Sequence, residues 1–218
     1  MMMNKVKIII VDDHAIFRDG LKSVLSLIKD FIVINEASTG TELLNILKQQ
    51  LPDIILMDIS MPEMDGIEAT EKALKKYPDL KIITLSSYCD YIYYYKMIKA
   101  GVLGFVQKKS GKEELKEAIN TILKGDNYFP QDVLRNLIFK IGKEGADSIG
   151  DNKLVLSKRE TEVLQLICQG FTNNEIAEKL HLSSKTIDNH RTSLLSKTST
   201  KNAAHLVMFA IKNHLIEI

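Results

Sequence analysis

The stretch DIILMDISMPEMDG, residues 53–66, decides the fold of the first part of the chain. Its four apolar residues 54–57 run directly into Asp58, and an Asp-Gly pair closes the stretch. A short, wholly apolar run is typical of a parallel strand that other elements cover on both faces. A carboxylate at the end of such a strand is costly unless it contacts a cation or hydrogen-bond donors. Asp58 therefore predicts a polar site at this edge of a sheet.

Four other short β-rich runs alternate with longer amphipathic patterns across residues 1–125. Repeated strand–helix alternation predicts a doubly wound, five-stranded parallel sheet of the α/β class. We expect each strand to be covered on both faces. The predicted strands are Val6–Val11, Ile32–Glu36, Ile54–Met57, Ile82–Leu85 and Gly104–Gln107, and the predicted helices cover residues 14–28, 41–51, 66–77, 90–100 and 112–123.

The rest of the chain has a different pattern. Residues 126–153 are a predicted linker, with one possible helix in 127–141 and a glycine-rich, charged segment after it. Residues 154–218 contain only helical patterns, which predicts a second, all-α domain. Ser157-x-x-Glu160 and Thr172-x-x-Glu175 fit capping boxes, and Gly170 lies where a helix C-terminus favours a left-handed residue.

Length and composition set further limits. A chain of 218 residues suits two domains, and a net charge of +1 neither requires nor excludes nucleic acid. Residues 153–218 carry nine Lys and Arg against six Asp and Glu, a mildly basic balance that permits DNA binding. Two cysteines exclude a disulfide framework. No secretory signal or membrane span is visible, so we expect a soluble cytoplasmic protein.

Polar side chains follow four of the predicted strands: Asp12 and Asp13, Asp58, Ser86, and Lys108. Ligands of doubly wound sheets bind beyond these carboxyl ends. Three neighbouring carboxylates repel one another unless a divalent cation neutralises them, and oxygen ligands with no histidine among them favour Mg²⁺. A carboxylate there can attack phosphorus and form an aspartyl-phosphate. Each side chain alone also fits a cap or a solvated charge, but all of them together favour a site.

Residues 5–124 resemble the receiver domain of two-component response regulators, which has a flavodoxin-like fold. The motifs are VDDH (11–14), LMDISMPEMDG (56–66), TLSS (84–87) and KAGVLGFVQK (99–108). Many receivers have proline where Lys109 stands. The resemblance implies a phosphoacceptor, Asp58; a Mg²⁺ site of Asp13, Asp58, the Ser60 backbone carbonyl and, largely through water, Asp12; a switch hydroxyl, Ser86; an aromatic switch residue, Phe105; and a phosphate-binding lysine, Lys108.

The second and third helices of the all-α domain, Asn173–Leu180 and a helix from Ser184 to about Thr198, flank a three-residue turn. This pattern predicts a helix-turn-helix whose second helix enters the major groove of DNA. We expect Ile187, Leu194 and Leu195 to face the core. The predicted DNA-binding face, within the motif Asn173–Thr192, comprises Lys185, Thr186, Asp188, Asn189, Arg191 and Thr192.

Asp188 is the awkward member of this face because an acid repels phosphates. Three interpretations stay open: it accepts a hydrogen bond from a cytosine amine, it stabilises the helix N-terminus, or it pairs with Lys185 or Arg191.

Residues 154–216 also resemble the LuxR-type helix-turn-helix, through LSKRETEVL, GFTNNEIAEKL, SSKTIDNHR and KNAAHLV. With the receiver in front, the whole chain resembles a NarL/FixJ-family response regulator. The resemblance implies a sensor histidine kinase, double-stranded promoter DNA and, in the active state, a homodimer as partners. It also implies a last helix, 202–213, that mediates dimerisation. The receiver would catalyse its own phosphotransfer and dephosphorylation without being a multiple-turnover enzyme.

Two other functions were weighed. A hydrolase of the haloacid dehalogenase kind needs a second acid two residues after the nucleophile, where this chain has Ser60. The second is a receiver that acts as a phosphorylation-independent interaction module. The complete set of acids, together with Ser86 and Lys108, argues against this function.

Five of the seven tyrosines lie within residues 88–95. We favour a partly buried amphipathic helix over a protein-contact face for this cluster.

Overall fold

The computed structural model describes residues 5–87, 91–130, 156–213 and 215–216. The chain divides into two compact units, Met1–Pro130 and Gln131–Ile218. Most of the predicted linker, with its possible helix from residue 131 onward, lies outside the described residues. Among the helices that are described, none combines the length and the hydropathy that a membrane crossing requires.

The first unit contains a five-stranded parallel sheet in the order β2-β1-β3-β4-β5. This order confirms the predicted doubly wound sheet, and it reverses between β1 and β3, where such folds bind their ligands. The strands are β1 Val6–Val11, β2 Phe31–Ala37, β3 Ile54–Asp58, β4 Ile82–Ser86 and β5 Gly104–Gln107, and the helices are α1 Ala15–Ser26, α2 Gly40–Ile46, α3 Gly66–Lys76, α4 Tyr91–Ala100 and α5 Lys112–Leu123.

The two strands β3 and β4 are buried along their whole length. The expectation that every strand is covered on both faces is wrong for β2, where Ile32 is 43% exposed. The reason is its position, because β2 is an edge strand with β1 as its one neighbour in the sheet. The short segment after α5 also reaches the sheet: Phe105 N donates to the Tyr128 carbonyl (2.8 Å), and Tyr128 N donates to the Leu103 carbonyl (3.0 Å).

The Asp-Gly pair that closes the opening stretch fixes the loop between β3 and α3. Asp65 caps α3 by accepting a hydrogen bond from Glu68 N (2.8 Å). Gly66 N donates to the Ile59 carbonyl (2.8 Å). A Cβ at Gly66 would lie 2.0 Å from the Asp58 carbonyl oxygen, so this position admits only glycine without a shift of backbone.

Gly66→Ala is expected to destabilise the first unit by about 1–3 kcal/mol, because the added methyl group displaces the Asp58 carbonyl. Gly20→Ala, inside α1 with no atom within 4 Å of its added Cβ, is the control and should stabilise by about 1 kcal/mol. Urea unfolding followed by tyrosine fluorescence measures both, since all seven tyrosines precede residue 131. Equal stability of Gly66→Ala and wild type would contradict this explanation.

The described part of the second unit is helical, as predicted. The helices are α6 Lys158–Cys168, α7 Asn173–Leu180, α8 Ser184–Thr198 and α9 Ala203–Lys212. Their apolar faces meet in one core that includes Val163, Leu164, Ile176, Ile187, Leu194 and Leu206.

The predicted helix ends of this unit are confirmed. Both capping boxes are present at the starts of α6 and α7. Gly170 has φ 88°, and Phe171 N donates to the Leu166 carbonyl (3.1 Å), as in a Schellman motif.

Glu160 of the first capping box is a buried charge. Its carboxylate accepts hydrogen bonds from Ser157 N (2.8 Å), Ser193 Oγ (2.7 Å) and Lys197 Nζ (2.7 Å). Ser193 and Lys197 lie on α8, so one carboxylate completes the cap of α6 and ties that helix to α8. The bond from Lys197, followed by the one from Ser157 N, lowers the pKa of Glu160 to about 2.

Glu160→Gln is expected to destabilise the second unit by about 1–3 kcal/mol at neutral pH, because it weakens three hydrogen bonds to a charged group. The folded-state pKa of about 2 lies below the ordinary 4.5. The carboxylate's contribution is therefore fully present above pH 4.5 and is lost as the pH falls toward 2. The difference between variant and wild type should shrink across that range.

The second unit contains no tyrosine, so its unfolding changes far-UV ellipticity without a matching change in tyrosine fluorescence. The measurement is this part of the urea-induced change in ellipticity. Glu162→Gln is the matched control on the same helix, where the side chain forms an ion pair at the surface with Arg159 (2.6 Å). Its effect should stay below about 1 kcal/mol. A Glu160→Gln effect independent of pH would refute the role of the charge.

Candidate functional site

The polar residues at the strand ends meet around one ammonium group. Lys108 Nζ lies 2.6 Å from Asp12 Oδ2 and 3.0 Å from Asp58 Oδ2. Asp12 is fully buried, and Asp58 is 5% exposed. The end of β5 is held beside β4 by the hydrogen bond from Lys108 N to the Ser86 carbonyl (2.8 Å). Three strands that are distant in sequence thus bring two buried carboxylates and one cation together.

The electrostatics of this group are only partly balanced. Burial raises the pKa of Asp58 above its ordinary value, and the charge of Asp12 adds to this effect, although Lys108 opposes it. Burial also favours the neutral form of Lys108, but its hydrogen bond to Asp12 and the charge of Asp58 raise its pKa overall. The lysine stays charged, while burial leaves the ionised form of Asp58 disfavoured.

The acid cluster suits a divalent cation. Ligand atoms of Asp12, Asp13, Asp58 and His14 all lie within 4.8 Å of one another. Three carboxylates supply the hard oxygen ligands that Mg²⁺ prefers, so the donor set fits this ion.

The contact of His14 with these acids was not expected from the sequence. His14 Nδ1 is 2.8 Å from Asp13 Oδ1 and 3.3 Å from Asp12 Oδ1. The only sequence signal for this contact is its position directly after the two acids.

The remaining predicted receiver residues lie around this cluster. Ser86 is buried at the end of β4, and Ser60 is exposed just beyond β3. Phe105 is buried, and its ring meets Tyr94 of α4 edge-to-face with centroids 4.5 Å apart. Phe17 of α1 is a further neighbour of the lysine, because Lys108 Nζ lies 4.9 Å from the centroid of its ring. This cation–π contact gives the ammonium group a third neighbour after Asp12 and Asp58.

The described tyrosines of the 88–95 cluster fit the favoured interpretation of an amphipathic helix. Tyr94 is buried, Tyr95 is half-buried and Tyr93 is exposed. Tyr88 and the side chain of Tyr91 lie outside the described residues, and the protein-contact alternative stays a prediction.

The second candidate site is α8. Ile187 and Leu194 are buried as predicted, and Leu195 packs half-buried against the same core. The six residues of the predicted DNA-binding face divide into two groups: Lys185, Asn189 and Thr192 are exposed, whereas Thr186, Asp188 and Arg191 are half-buried.

Asn173 of α7 contacts Asp188 and Arg191 of α8, and the sequence did not predict these contacts. Its side chain is buried and donates from Nδ2 to Asp188 Oδ1 (2.6 Å). Its Oδ1 accepts a hydrogen bond from Arg191 Nη1. None of the three interpretations left open for Asp188 included this partner.

Asp58→Asn is expected to stabilise the first unit at neutral pH by on the order of 1 kcal/mol when chelator removes divalent cations. A carboxyl whose folded-state pKa is raised above 3.8 costs stability when ionised, so the gain should disappear below about pH 3.8. Tyrosine-detected urea unfolding measures it, with the exposed Asp19→Asn on α1 as the neutral control. Excess Mg²⁺ should stabilise wild type more than Asp58→Asn. A less stable Asp58→Asn in chelator would contradict the electrostatic account.

Comparisons with known proteins agree with this geometry. Residues 8–120 match the family described as response regulator receiver domain. Residues 154–210 match the family described as bacterial regulatory proteins, luxR family.

Similar proteins cover nearly the whole chain. The oxygen regulatory protein NreC of Staphylococcus carnosus is 36% identical over 216 residues, 97% of this chain and 100% of NreC. The transcriptional regulatory protein DegU of Brevibacillus brevis is 33% identical over 228 residues, 99% of this chain and 97% of DegU.

Solved structures of similar chains include the Salmonella typhimurium RcsB response regulator, with a TM-score of 0.59 and 32% identity over 94% of this chain and 97% of that chain. An RcsB–DNA complex has a TM-score of 0.57 and 29% identity over 94% of this chain and 98% of that chain. The matched families are those of transcription regulators and not of classical enzymes. The chain therefore belongs to the NarL/FixJ family of two-component response regulators, in which a receiver domain is joined to a LuxR-type DNA-binding domain.

Proposed function

We propose that Asp58 accepts a phosphoryl group from a sensor histidine kinase, and that this modification controls dimerisation and promoter binding. The observation that carries the proposal is the position of Lys108 Nζ, within 3.0 Å of the buried carboxylates of both Asp12 and Asp58. A lysine so placed neutralises charge where phosphoryl oxygens would lie. Membership of the response-regulator family supports the same role.

The chemistry follows from the residues around Asp58. A carboxylate oxygen of Asp58 attacks phosphorus while the bond from phosphorus to the donor's histidine nitrogen breaks. Lys108 stabilises the negative charge of the phosphoryl group in the transition state. Asp12, Asp13, Asp58 and the Ser60 backbone carbonyl would hold one Mg²⁺, largely through water in the case of Asp12. When bound, this ion supplies further positive charge to the phosphoryl oxygens.

The same residues make the receiver the catalyst of its own phosphorylation and of the later transfer of the group to water. Phosphorylation adds a group with strong acceptor oxygens beside β4. The Ser86 hydroxyl then donates a hydrogen bond to that group, which moves the end of β4. Phe105 packs next to β4 and against Tyr94, so its packing changes with Ser86. The result is a population shift between two receiver states.

The output is DNA binding by the second unit. We place the receiver at 1–125, the linker at 126–153 and the DNA-binding domain at 154–218. In the active homodimer, α9 forms the dimer contact of this domain, and α8 enters the major groove, where its predicted face contacts bases and phosphates. A structure of two RcsB dimers bound to two parallel DNAs supports DNA binding by dimers in a similar protein. We further propose that the chain acts in the cytoplasm, where promoter DNA lies.

The test is the intact mass of the full chain after incubation with acetyl phosphate and Mg²⁺. Wild type should gain a single phosphoryl group, and Asp58→Asn should gain none. Asp53→Asn, an exposed acid that accepts a hydrogen bond from Lys7 N (2.7 Å), is the matched control and should react like wild type. Size-exclusion chromatography should show more dimer in the phosphorylated samples.

Phosphorylation of Asp58→Asn would place the chemistry on another residue. Unmodified wild type, even with excess Mg²⁺ and a histidine kinase, would favour a receiver that works as a phosphorylation-independent interaction module.

A further inference from the structure

A polar network joins α7 to the helix that is proposed to enter the major groove. Asn173 is the first residue of α7 and is only 7% exposed. Its carboxamide donates to Asp188 through one end and accepts from Arg191 through the other. Asp188 and Arg191 are three positions apart on α8 and therefore lie on the same face of that helix.

We infer that Asn173 is a positioning residue that holds Arg191 for contact with a guanine base, and that Asp188 affects base recognition through Asn173 and not through a base contact of its own. The inference rests on the proposed function of α8 as the DNA-contacting helix. It assigns base recognition at this position to one side chain, Arg191, and it gives a role to a residue outside the predicted DNA-binding face.

The chemistry of an amide explains why both partners are needed. A carboxamide has a donor end and an acceptor end, and rotation by half a turn exchanges them. An arginine offers only donors and an ionised aspartate only acceptors. Asp188 therefore fixes the rotation of Asn173 so that its oxygen, and not its NH₂ group, faces Arg191. Without an acceptor oxygen at position 188, the amide loses this orientation.

The contact also prepares Arg191 for binding. A free arginine side chain has many rotamers, and it loses this freedom when it contacts DNA. The hydrogen bond from Nη1 to Asn173 removes part of this freedom before DNA arrives. A planar guanidinium in fixed orientation suits the N7 and O6 acceptors of guanine in the major groove.

A second hydrogen bond joins α7 to α8. Ser184 Oγ donates to Asn174 Oδ1 (2.7 Å), one turn of α8 before Asp188. The first turn of α7 thus contacts α8 at two points. Asn174 differs from Asn173 in being bonded to Ser184, at the start of α8, and it provides a matched control for the loss of an amide in this turn.

Asp188 has a further effect in this arrangement. Its negative charge repels phosphates of every sequence, so it weakens binding to non-specific DNA as well as to the specific site. Asp188→Asn removes the charge but keeps an oxygen that accepts from Asn173. This variant separates the charge of Asp188 from its hydrogen bond.

The experiment begins with the full chain, treated with acetyl phosphate and Mg²⁺, and a random-sequence duplex library. Duplexes that bind wild type, and in separate selections those that bind each variant, are enriched and sequenced. The dissociation constants of the best-enriched duplex and of the unselected pool are then measured for wild type, Asn173→Ala, Asn174→Ala, Asp188→Ala and Asp188→Asn. Far-UV ellipticity confirms that each variant is folded.

Asn173→Ala and Asp188→Ala should lower the ratio of specific to non-specific affinity by on the order of 10-fold to 100-fold, and their own enriched motifs should lose one guanine. Asn174→Ala should keep the motif. Asp188→Asn should keep the ratio and bind both duplexes more tightly, because a charge near phosphates is gone.

Two results would overturn the inference while leaving the proposed function intact. Loss of a cytosine preference in Asp188→Asn alone would mean that Asp188 contacts that base directly. Equal weakening of both duplexes by Asn173→Ala would mean that Arg191 contacts phosphate. If wild type enriches no motif, both the proposed function and the inference fail.

Discussion

The ion contacts of Lys108 are the interaction on which the first unit depends. Two carboxylates at the end of parallel strands would repel each other in a buried site, and the ammonium makes their proximity tolerable. The lysine comes from β5, whereas the acids come from β1 and β3, so the contact exists only when the sheet has its full order. Burial still disfavours the ionised form of Asp58, which leaves the site suited to a cation and to a group that Lys108 can bind.

The second unit uses the same physical device for a different purpose. Glu160 is also a buried carboxylate, but Lys197, Ser193 and a backbone amide satisfy it within the fold. Hydrogen bonds from these partners lower its pKa, whereas burial, which Lys108 offsets only in part, raises the pKa of Asp58. The contrast separates a carboxylate that stabilises helix packing from one whose ionised form its surroundings disfavour.

The sequence predicted the features that depend on short-range patterns. Apolar runs gave the five strands nearly to the residue, and the capping boxes gave the starts of α6 and α7. The strand ends also predicted which receiver residues would meet, because parallel strands share one carboxyl edge. The exposure of β2 was not predicted, because the sequence of a single strand does not reveal whether that strand lies at the edge of the sheet.

Contacts between residues far apart in sequence could not be predicted in the same way. Asn173 lies 15 positions before Asp188, and its residue type suits a helix N-terminus equally well. The approach of Phe17 to Lys108 depends on how α1 packs against the sheet, and periodicity gives only the face that is buried. His14 follows two acids directly, yet its position in the cluster depends on the turn after β1.

The pairing of Tyr128 with β5 determines where the connection between the two units begins. Both backbone groups of Tyr128 bond to residues that flank Gly104, so the chain leaves α5 and returns to the sheet before it continues. Phe129 follows at once, with its ring centroid 5.7 Å from that of Phe105. The tether to the DNA-binding domain is therefore anchored at β5, the strand that carries Phe105, the proposed aromatic switch residue. The length of this tether is therefore counted from residue 130, and a displacement of β5 also displaces the point at which the tether starts.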